Sequence, residues 1–170
     1  EGIENMEEIN YQIRPVRPSD LAAVTEVEAV CFPAAEAAPE ESFQSRIEAF
    51  PDCFFVAEKD GKIIGFINGC ATDERTIRDE MFEDSSLHKP DGIYQSIFGL
   101  DVIPEYRRHG VAAALMEHLI EDARTRGRRG LILTCKDRLI HYYEKFGYRN
   151  LGVSASVHGG AVWYDMLLEF

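Results

Sequence analysis

The sequence has no long apolar run, no closely spaced cysteines and few positive charges. No apolar stretch reaches the roughly 18 residues that a membrane-spanning helix requires, so no membrane partner is expected. The four cysteines lie far apart, without a CxxC pair or a histidine at zinc-ligand spacing, so we expect neither a disulfide framework nor a bound metal. With 18 basic against 30 acidic side chains and a net charge of −12, the chain lacks the basic surface that sequence-independent nucleic-acid binding needs.

The beginning of the sequence is acidic and contains no apolar segment of the kind found in secretory signals. We expect residues 1–9 to be a flexible N-terminal segment and residues 10–170 to form one domain. Cys53, Cys70 and Cys135 each lie in an apolar run and are predicted to be buried free thiols. These features together predict a cytoplasmic protein.

The composition is that of an ordinary globular domain, with 45% hydrophobic and 28% charged residues. A chain of 170 residues suffices for one domain that needs no disulfide or metal for stability. Short apolar runs typical of strands alternate with segments of helical periodicity. This pattern predicts a single α/β domain with a mixed sheet and helices on both faces.

Two turns with glycine predict hairpins. Asp60-Gly61 separates two apolar runs, and Asp-Gly at such a place favours a two-residue hairpin turn. A Gly-Gly pair at 159–160 separates the last two runs, residues 148–157 and 161–168, which are therefore expected to form a closing antiparallel pair.

Segment 94–112 carries the clearest chemical signal. A predicted strand over 93–102, with Gly99 inside it, leads through a basic turn into a helix predicted over 111–126. The first N–H groups of a helix have no internal partners and lie at the positive end of its dipole, so the turn suits an anion such as a pyrophosphate. Neither a G-x-G-x-x-G fingerprint nor a Walker A loop is present. The alternative is a basic turn that only caps an ordinary helix.

Two motifs lie in this half of the chain. They are Arg107-x-x-Gly110-x-Ala112 after Leu100-Asp101-Val102, and the run from Tyr142 to Tyr148. Together they resemble the acetyl-CoA motif and the following tyrosine signature of the GNAT-type N-acetyltransferase superfamily, in its order and at its spacing. The resemblance covers residues 10–170. It implies a mixed, mostly antiparallel twisted sheet of about seven strands, with about four helices on both faces.

Within that superfamily the sequence is most similar to the arylalkylamine N-acetyltransferases. The likeness is carried by residues 28–32, 65–69, 86–90, 133–137 and 163–166. It implies transfer of an acetyl group to a primary amine, with acetyl-CoA as the co-substrate.

The resemblance also implies which residues contact acetyl-CoA. They are Leu100, Asp101, Val102, Arg107, Arg108, His109, Gly110, Val111, Ala112 and Tyr143. In the family the pantetheine arm pairs with the strand that matches residues 100–102, like an added strand. Gly99 would mark a bulge at which an N–H group faces the thioester oxygen. Tyr143 matches the general acid, which protonates the departing thiolate.

The residues at the positions of the general base differ from those of the resembled enzymes. Animal arylalkylamine N-acetyltransferases carry two histidines at the positions that match Ser96 and Phe98, and neither residue here can accept a proton directly at pH 7. We therefore expect the amine proton to leave through ordered water that touches Ser96, with a carboxylate further out. His88 and His158 are weaker alternatives.

The acceptor site is also implied by the resemblance. Phe32, Pro39 and Trp163 match the residues that hold the aromatic ring of the amine, and Phe98 is expected beside them. Aromatic side chains suit a flat substrate. Acidic residues outnumber basic ones by 22 to 8 in residues 1–103, which would attract a cation. The alternative is that Phe32 and Trp163 are core residues.

Three functions stay open on the sequence. The leading one is an acetyl-CoA-dependent acetyltransferase of a small-molecule amine, acting as a monomer or homodimer. The second is acetylation of peptide or protein amines, which needs an open groove between loop 32–39 and the 157–163 turn. The third is a non-catalytic module that binds CoA.

Overall fold

The computed structural model describes residues 8–170, and in that range it contains nine β-strands and five α-helices. The strands are β1 (Gln12–Pro15), β2 (Phe54–Lys59), β3 (Lys62–Asn68), β4 (Ala71–Thr72), β5 (Tyr94–Ile97), β6 (Gly99–Val102), β7 (Gly130–Cys135), β8 (Arg149–Val153) and β9 (Tyr164–Glu169). The helices are α1 (Leu21–Cys31), α2 (Glu40–Ala49), α3 (Asp79–Glu83), α4 (Val111–Thr125) and α5 (Ile140–Glu144). Of the segment predicted to be flexible, residues 1–7 lie outside the described residues.

The strands form two sheets, and one bent segment of chain contributes to both. The first sheet is antiparallel with the order β1-β2-β3-β6, and the second has the order β4-β5-β7-β9-β8, in which β5 and β7 run parallel. The segment predicted as one strand, 93–102, is interrupted at Phe98, whose N–H donates to the Asn68 carbonyl at 2.7 Å. The α/β class is confirmed. The interruption and the short β4 explain why nine strands are found instead of about seven.

The turn between β2 and β3 confirms the first predicted hairpin. Asp60 and Gly61 have φ angles of 51° and 80°, the positive values that a two-residue turn with the right twist requires. The two strands pair antiparallel from Lys59↔Lys62 onward.

The second hairpin prediction is wrong about the length of its strands. β8 ends at Val153 and β9 begins at Tyr164, so a connection of residues 154–163 replaces a tight Gly-Gly turn. This connection is fixed by contacts with α3, because the carboxylate of Asp79 accepts hydrogen bonds from the Ser156 hydroxyl and the Val157 N–H. These hydrogen bonds draw the chain away from the ladder that strict pairing would have continued.

The core confirms the helical periodicity of α4. Val111, Leu115, Met116 and Leu119 are buried, and they pack in one hydrophobic cluster with residues of β2, β3, β6 and β7. At roughly 1.5–3 kcal/mol for each large apolar side chain, this face makes α4 a main stabilising element of the domain.

The three predicted buried thiols, Cys53, Cys70 and Cys135, are buried and free, and Cys31 is half-buried at the end of α1. Among the helices of residues 8–170, none has both the length and the apolar character to cross a bilayer.

Candidate active site

A cleft opens where β6 and β7 diverge. β5 pairs with β7 up to Ile97↔Leu133, whereas β7 continues to Cys135 and β6 turns to pair with β3 from Gly99 onward. The last residues of β7 therefore have no strand partner on the side of β6 within residues 8–170. In the described part of the chain, two strand edges that pair with no further strand face each other across this wedge.

The backbone of Leu100 faces the cleft. The N–H of Ile103 bonds to the Ile64 carbonyl at 2.9 Å, and hydrogen-bonded positions alternate along an antiparallel pair. Leu100 and Val102 therefore direct their peptide groups away from β3. The Val102 carbonyl is already occupied, since it accepts hydrogen bonds from Arg107 Nε at 2.8 Å and Cys31 Sγ at 3.4 Å. Leu100 is left as the open position on this edge, as far as residues 8–170 show.

The turn before α4 has the shape of an anion site. Arg108 and Gly110 both adopt positive φ angles, 68° and 79°, and α4 begins at the next residue. Ala114 is the first helical residue whose N–H finds a carbonyl, that of Gly110 at 3.0 Å. Within residues 8–170 the N–H groups of residues 111–113 thus have no backbone acceptor and lie at the positive end of the helix dipole.

The basic side chains of this turn point in different directions. Arg107 is folded back onto β6 through its bond to the Val102 carbonyl, and its Nη2 lies 3.6 Å from Cys31 Sγ. Arg108 is exposed, and His109 is half-buried. Arg107 therefore braces the turn against α1 and β6, which differs from its expected contact with the anion.

Tyr143 lies on α5 beside the cleft. Its ring packs edge-on against Tyr142 and Tyr148, with centroids 5.2 and 6.0 Å away. Burial raises the pKa of Tyr143 above its usual range, and Tyr142, Cys135 and Asp101 add to this effect. The phenol is therefore protonated at neutral pH. Its hydroxyl has no hydrogen-bond partner in the described part of the chain.

Ser96 is not in the cleft, which corrects the expected water-mediated base. Its side chain is fully buried, and its hydroxyl donates to the Cys70 carbonyl at 2.8 Å. The Ser96 N–H also donates to the Cys70 carbonyl, at 2.8 Å, so both groups are engaged by the neighbouring segment.

An aromatic row borders the cleft on the side of α2 and α3. Phe98 lies 4.8 Å from Phe82, the Phe82 ring stacks on His158 at 5.5 Å, and His158 lies 6.1 Å from Trp163. Two of the predicted acceptor residues, Phe98 and Trp163, are thus connected through Phe82 and His158. Neither Phe82 nor His158 is predicted from the sequence to hold the ring of the acceptor.

The other two predicted acceptor residues lie apart from this row. Phe32 is half-buried just after α1, and Pro39 is exposed where α2 begins. Neither makes a ring contact with the aromatic row in the described residues.

The loop between α1 and α2 closes over this side of the cleft. Glu36 forms an ion pair with Lys136 at 2.7 Å, and its carbonyl lies 3.1 Å from His158 Nε2. Lys136 in turn lies 5.7 Å from the centre of the Trp163 ring. Gly159 also packs against Glu36, since a side chain at Gly159 would meet the Glu36 side chain at 2.7 Å. Loop 32–39 and the 157–163 connection are therefore in direct contact.

Four buried polar side chains lie near Gly99, where β6 begins. Glu28 comes from α1, Arg46 from α2, Asn68 from β3 and Asp101 from β6, with exposed fractions of 7%, 4%, 1% and 1%. The Glu28 carboxylate accepts the Ala38 N–H at 2.9 Å. Arg46 donates to Asn68 Oδ1 at 3.2 Å and to the Phe82 carbonyl at 2.9 Å.

Sequence reasoning missed this cluster as a site. One signal was available, because Glu28 follows Val24 and Val27 on the buried face of α1, and Asp101 interrupts the apolar strand between Leu100 and Val102. Acids at core positions are rare unless they are paired. Their meeting point, however, depends on contacts between four different elements.

Comparison with known proteins identifies the domain type. The model of the acetyltransferase (GNAT) family matches residues 21–148. The chain is 29% identical over 142 residues to the probable hydrolase YhcX of Bacillus subtilis, covering 78% of this chain but only 27% of that protein. It is 23% identical over 159 residues to serotonin N-acetyltransferase of Mesocricetus auratus, covering 91% of this chain and 75% of the relative.

A solved structure confirms the same fold. The GNAT-like decarboxylase GphF in complex with isobutyryl-CoA superposes with a TM-score of 0.81 at 24% identity, over 93% of this chain and 98% of that one. The chain spans about a quarter of the length of YhcX and nearly all of the GphF structure.

Proposed function

The chain belongs to the GNAT acetyltransferase family, and from this premise we propose that it transfers the acetyl group of acetyl-CoA to a small primary arylalkylamine. The observation that carries the proposal is the wedge between β6 and β7, which has a turn with unpaired helix N–H groups at one end and the protonated Tyr143 beside it. These are the parts that acetyl transfer requires.

The residues of the cleft fit acetyl-CoA, which supplies the thioester-bound acetyl group. The free peptide edge at Leu100 would pair with the amide groups of the pantetheine arm. The unpaired N–H groups of residues 111–113 would bind the pyrophosphate, with Arg108 as the nearest exposed cation. Arg107 would act indirectly by holding the turn.

Tyr143 would donate a proton to the thiolate as the C–S bond breaks. Its raised pKa keeps it protonated at neutral pH, which a general acid needs. The same raised pKa disfavours a lasting phenolate, so proton donation and bond cleavage would be concerted.

The closed rim favours a small acceptor over a peptide. A peptide needs a groove that is open at both ends, but Glu36 bridges to Lys136 and His158 across that path. The aromatic row formed by Phe82, Phe98, His158 and Trp163 offers a surface for a flat ring. The 23% identity to serotonin N-acetyltransferase also supports an aromatic amine.

Thiol release from acetyl-CoA over a panel of amines tests the proposal. The panel holds tryptamine, phenethylamine, a polyamine, an aminoglycoside and a short peptide. Saturable release with the two aromatic amines is the expected result. Release with the peptide alone would replace the acceptor with a peptide amine. Tight acetyl-CoA binding without release on any amine would leave a non-catalytic CoA-binding module.

A further inference from the structure

Polar atoms from three elements converge on the first residue of β6. A side chain built at Gly99 would meet Asp101 Oδ1 at 3.2 Å, Asn68 Nδ2 at 3.6 Å and Glu28 Oε1 at 3.7 Å. Gly99 leaves this space open because it has no side chain. The convergence lies just after Phe98, where the chain stops pairing with β7 and begins to pair with β3, and where the cleft begins.

Among residues 8–170, several of these buried atoms find no hydrogen-bond partner. They are Asp101 Oδ1 and Oδ2, Asn68 Nδ2 and Arg46 Nε. More than nine in ten buried polar groups in folded proteins are satisfied, so a concentration of unpaired atoms at one place calls for a specific reason. A bound donor such as an ammonium group would satisfy the two oxygens of Asp101.

The charges of the cluster allow one proton to be shared. Burial raises the pKa of Asp101 well above its ordinary value, and the nearby Glu28 carboxyl raises it further; Cys31 acts in the same direction and Arg46 opposes it. Burial lowers the pKa of Arg46 to about 10, so Arg46 stays positive at neutral pH. Two adjacent buried carboxyls cannot both ionise without a large cost, so this arrangement favours a proton on Asp101.

We propose that Glu28 and Asp101 form a proton-sharing carboxyl pair that takes the proton from the ammonium group of the acceptor. This inference rests on the proposed function and supplies the base that the strand histidines provide in the resembled enzymes. Arg46, which donates to Asn68 Oδ1, balances the single negative charge of the pair.

The protons balance with no further reactant. The ammonium gives one proton to the pair, and the neutral amine forms the N–C bond while the C–S bond breaks. Tyr143 protonates the thiolate and recovers a proton from the second N–H of the attacking nitrogen. The pair then returns its proton to solvent, so the net products are the amide, the thiol and one proton. Asp101 contributes to the raised pKa of Tyr143, so acid and base lie close enough to interact.

The other candidate bases are already engaged. The Ser96 hydroxyl is bonded to the Cys70 carbonyl, and His88 Nδ1 accepts the Ala71 N–H at 3.0 Å. His158 Nε2 lies 3.1 Å from the Glu36 carbonyl, which leaves only its Nδ1 to accept a proton. His158 is therefore the rival to be tested beside the pair.

The test compares Glu28→Gln, Asp101→Asn and His158→Gln with Glu26→Gln, an exposed acid on the same helix, as the matched control. We expect each variant of the pair to lower kcat about 100-fold at pH 7 with an unchanged acetyl-CoA Kd. The loss should shrink toward pH 10, because the free amine then needs no base. Glu26→Gln should keep full activity.

The kinetic outcomes distinguish a failure of the proposed carboxyl pair from a failure of the proposed acetyltransferase activity. Full kcat in both variants of the pair, or a comparable loss only in His158→Gln, would overturn the carboxyl pair while leaving the acetyltransferase intact. If the wild-type protein released no thiol with any amine of the panel, the proposed function itself would be overturned.

Thermal unfolding gives a readout that needs no activity. A protein with a carboxyl whose pKa is raised in the folded state becomes less stable as the pH rises from the unfolded pKa of that carboxyl toward its folded pKa. Asp101→Asn should therefore have a higher Tm than the wild type at pH 7.5, and the difference should shrink toward pH 4.5. The groups that face Asp101 from other elements, namely Glu28, Cys31, Arg46 and Tyr143, are the same in both proteins. A lower Tm for the variant at pH 7.5 would contradict a buried, destabilising carboxyl.

Discussion

Among single residues, Tyr143 combines a raised pKa with a hydroxyl that has no partner in residues 8–170. Its neighbour Tyr142 is also partly buried, but it packs against Phe146 with ring centroids 5.4 Å apart. The two tyrosines are chemically identical and adjacent on a short helix. They differ in which one approaches Cys135 and Asp101, and this makes them a matched pair for experiment.

Tyr143→Phe removes the proposed acid while keeping the ring. We expect kcat to fall about 10²–10⁴-fold, since the thiolate then has to leave unprotonated, with little change in the acetyl-CoA Kd. Tyr142→Phe is the control and should keep kcat within a factor of about two. Steady-state kinetics with the best amine and direct titration of acetyl-CoA would decide; an unchanged kcat in Tyr143→Phe would remove this residue from the mechanism.

The predicted roles of Tyr143 and Ser96 differ in how far they depend on contacts between distant parts of the chain. Tyr143 could be singled out because its motif lies within seven consecutive residues. Ser96 could not be assigned correctly, because the carbonyl that captures its hydroxyl belongs to Cys70, 26 positions earlier. Nothing near Ser96 in the sequence encodes that contact.

At the scale of elements, α4 and the turn before it are read most directly from the sequence. The helix was predicted over residues 111–126 and is found over Val111–Thr125, with glycine at positive φ at both ends. Gly110 opens the helix at φ 79° and Gly127 follows it at φ 77°. A residue with a Cβ is strained in this conformation by roughly 1–2 kcal/mol.

Gly110→Ala and Gly127→Ala therefore form a matched pair of substitutions. Both should lower the free energy of unfolding by about 1–2 kcal/mol, because both place a Cβ at positive φ. Only Gly110→Ala should weaken acetyl-CoA binding, by about tenfold if the turn shifts at a similar energetic cost. Chemical denaturation and a binding titration measure the two effects; equal affinity in both variants would show that the turn does not hold the pyrophosphate.

The closing hairpin marks the limit of element prediction. Gly159 and Gly160 do adopt positive φ, at 63° and 71°, as a turn signal suggests. The strands nevertheless end earlier, because Asp79 of α3 binds residues 156 and 157 and Glu36 packs on Gly159. Long-range polar contacts have overridden a local preference.

For the whole molecule, an ion network joins three elements far from the cleft. Arg14 of β1 donates to both oxygens of Asp20, at 2.8 and 3.0 Å, and to Glu58 of β2 at 2.6 Å. Asp20 also accepts the Arg17 N–H at 2.8 Å in the turn before α1. Burial acts to raise the pKa of Asp20, but the hydrogen bonds from Arg14 and Arg17 outweigh it and lower the pKa.

A carboxylate whose pKa is lowered in the folded state stabilises the protein at pH values above its unfolded pKa. This stabilisation is lost as the pH falls through the folded-state pKa. Asp20→Asn should therefore lower the free energy of unfolding by about 2 kcal/mol at pH 7, with the difference shrinking below about pH 4. Asp60→Asn is the control, because Asp60 pairs with Lys59 at an exposed surface, and the loss of stability there should be much smaller than for Asp20→Asn. Urea denaturation at pH 7 and pH 3.5 would measure both; a difference for Asp20→Asn that grows at low pH would contradict the network.

The sequence by itself determined the α/β class, α4, the first hairpin and the turn at Gly110, because local periodicity and turn chemistry specify each of them. Only the tertiary structure decided that Ser96 is closed off, that loop 32–39 seals one side of the cleft, and that Glu28 and Asp101 meet at Gly99. These three features depend on side chains tens of positions apart. Their distances follow from the packing of whole elements, which no short segment of sequence encodes.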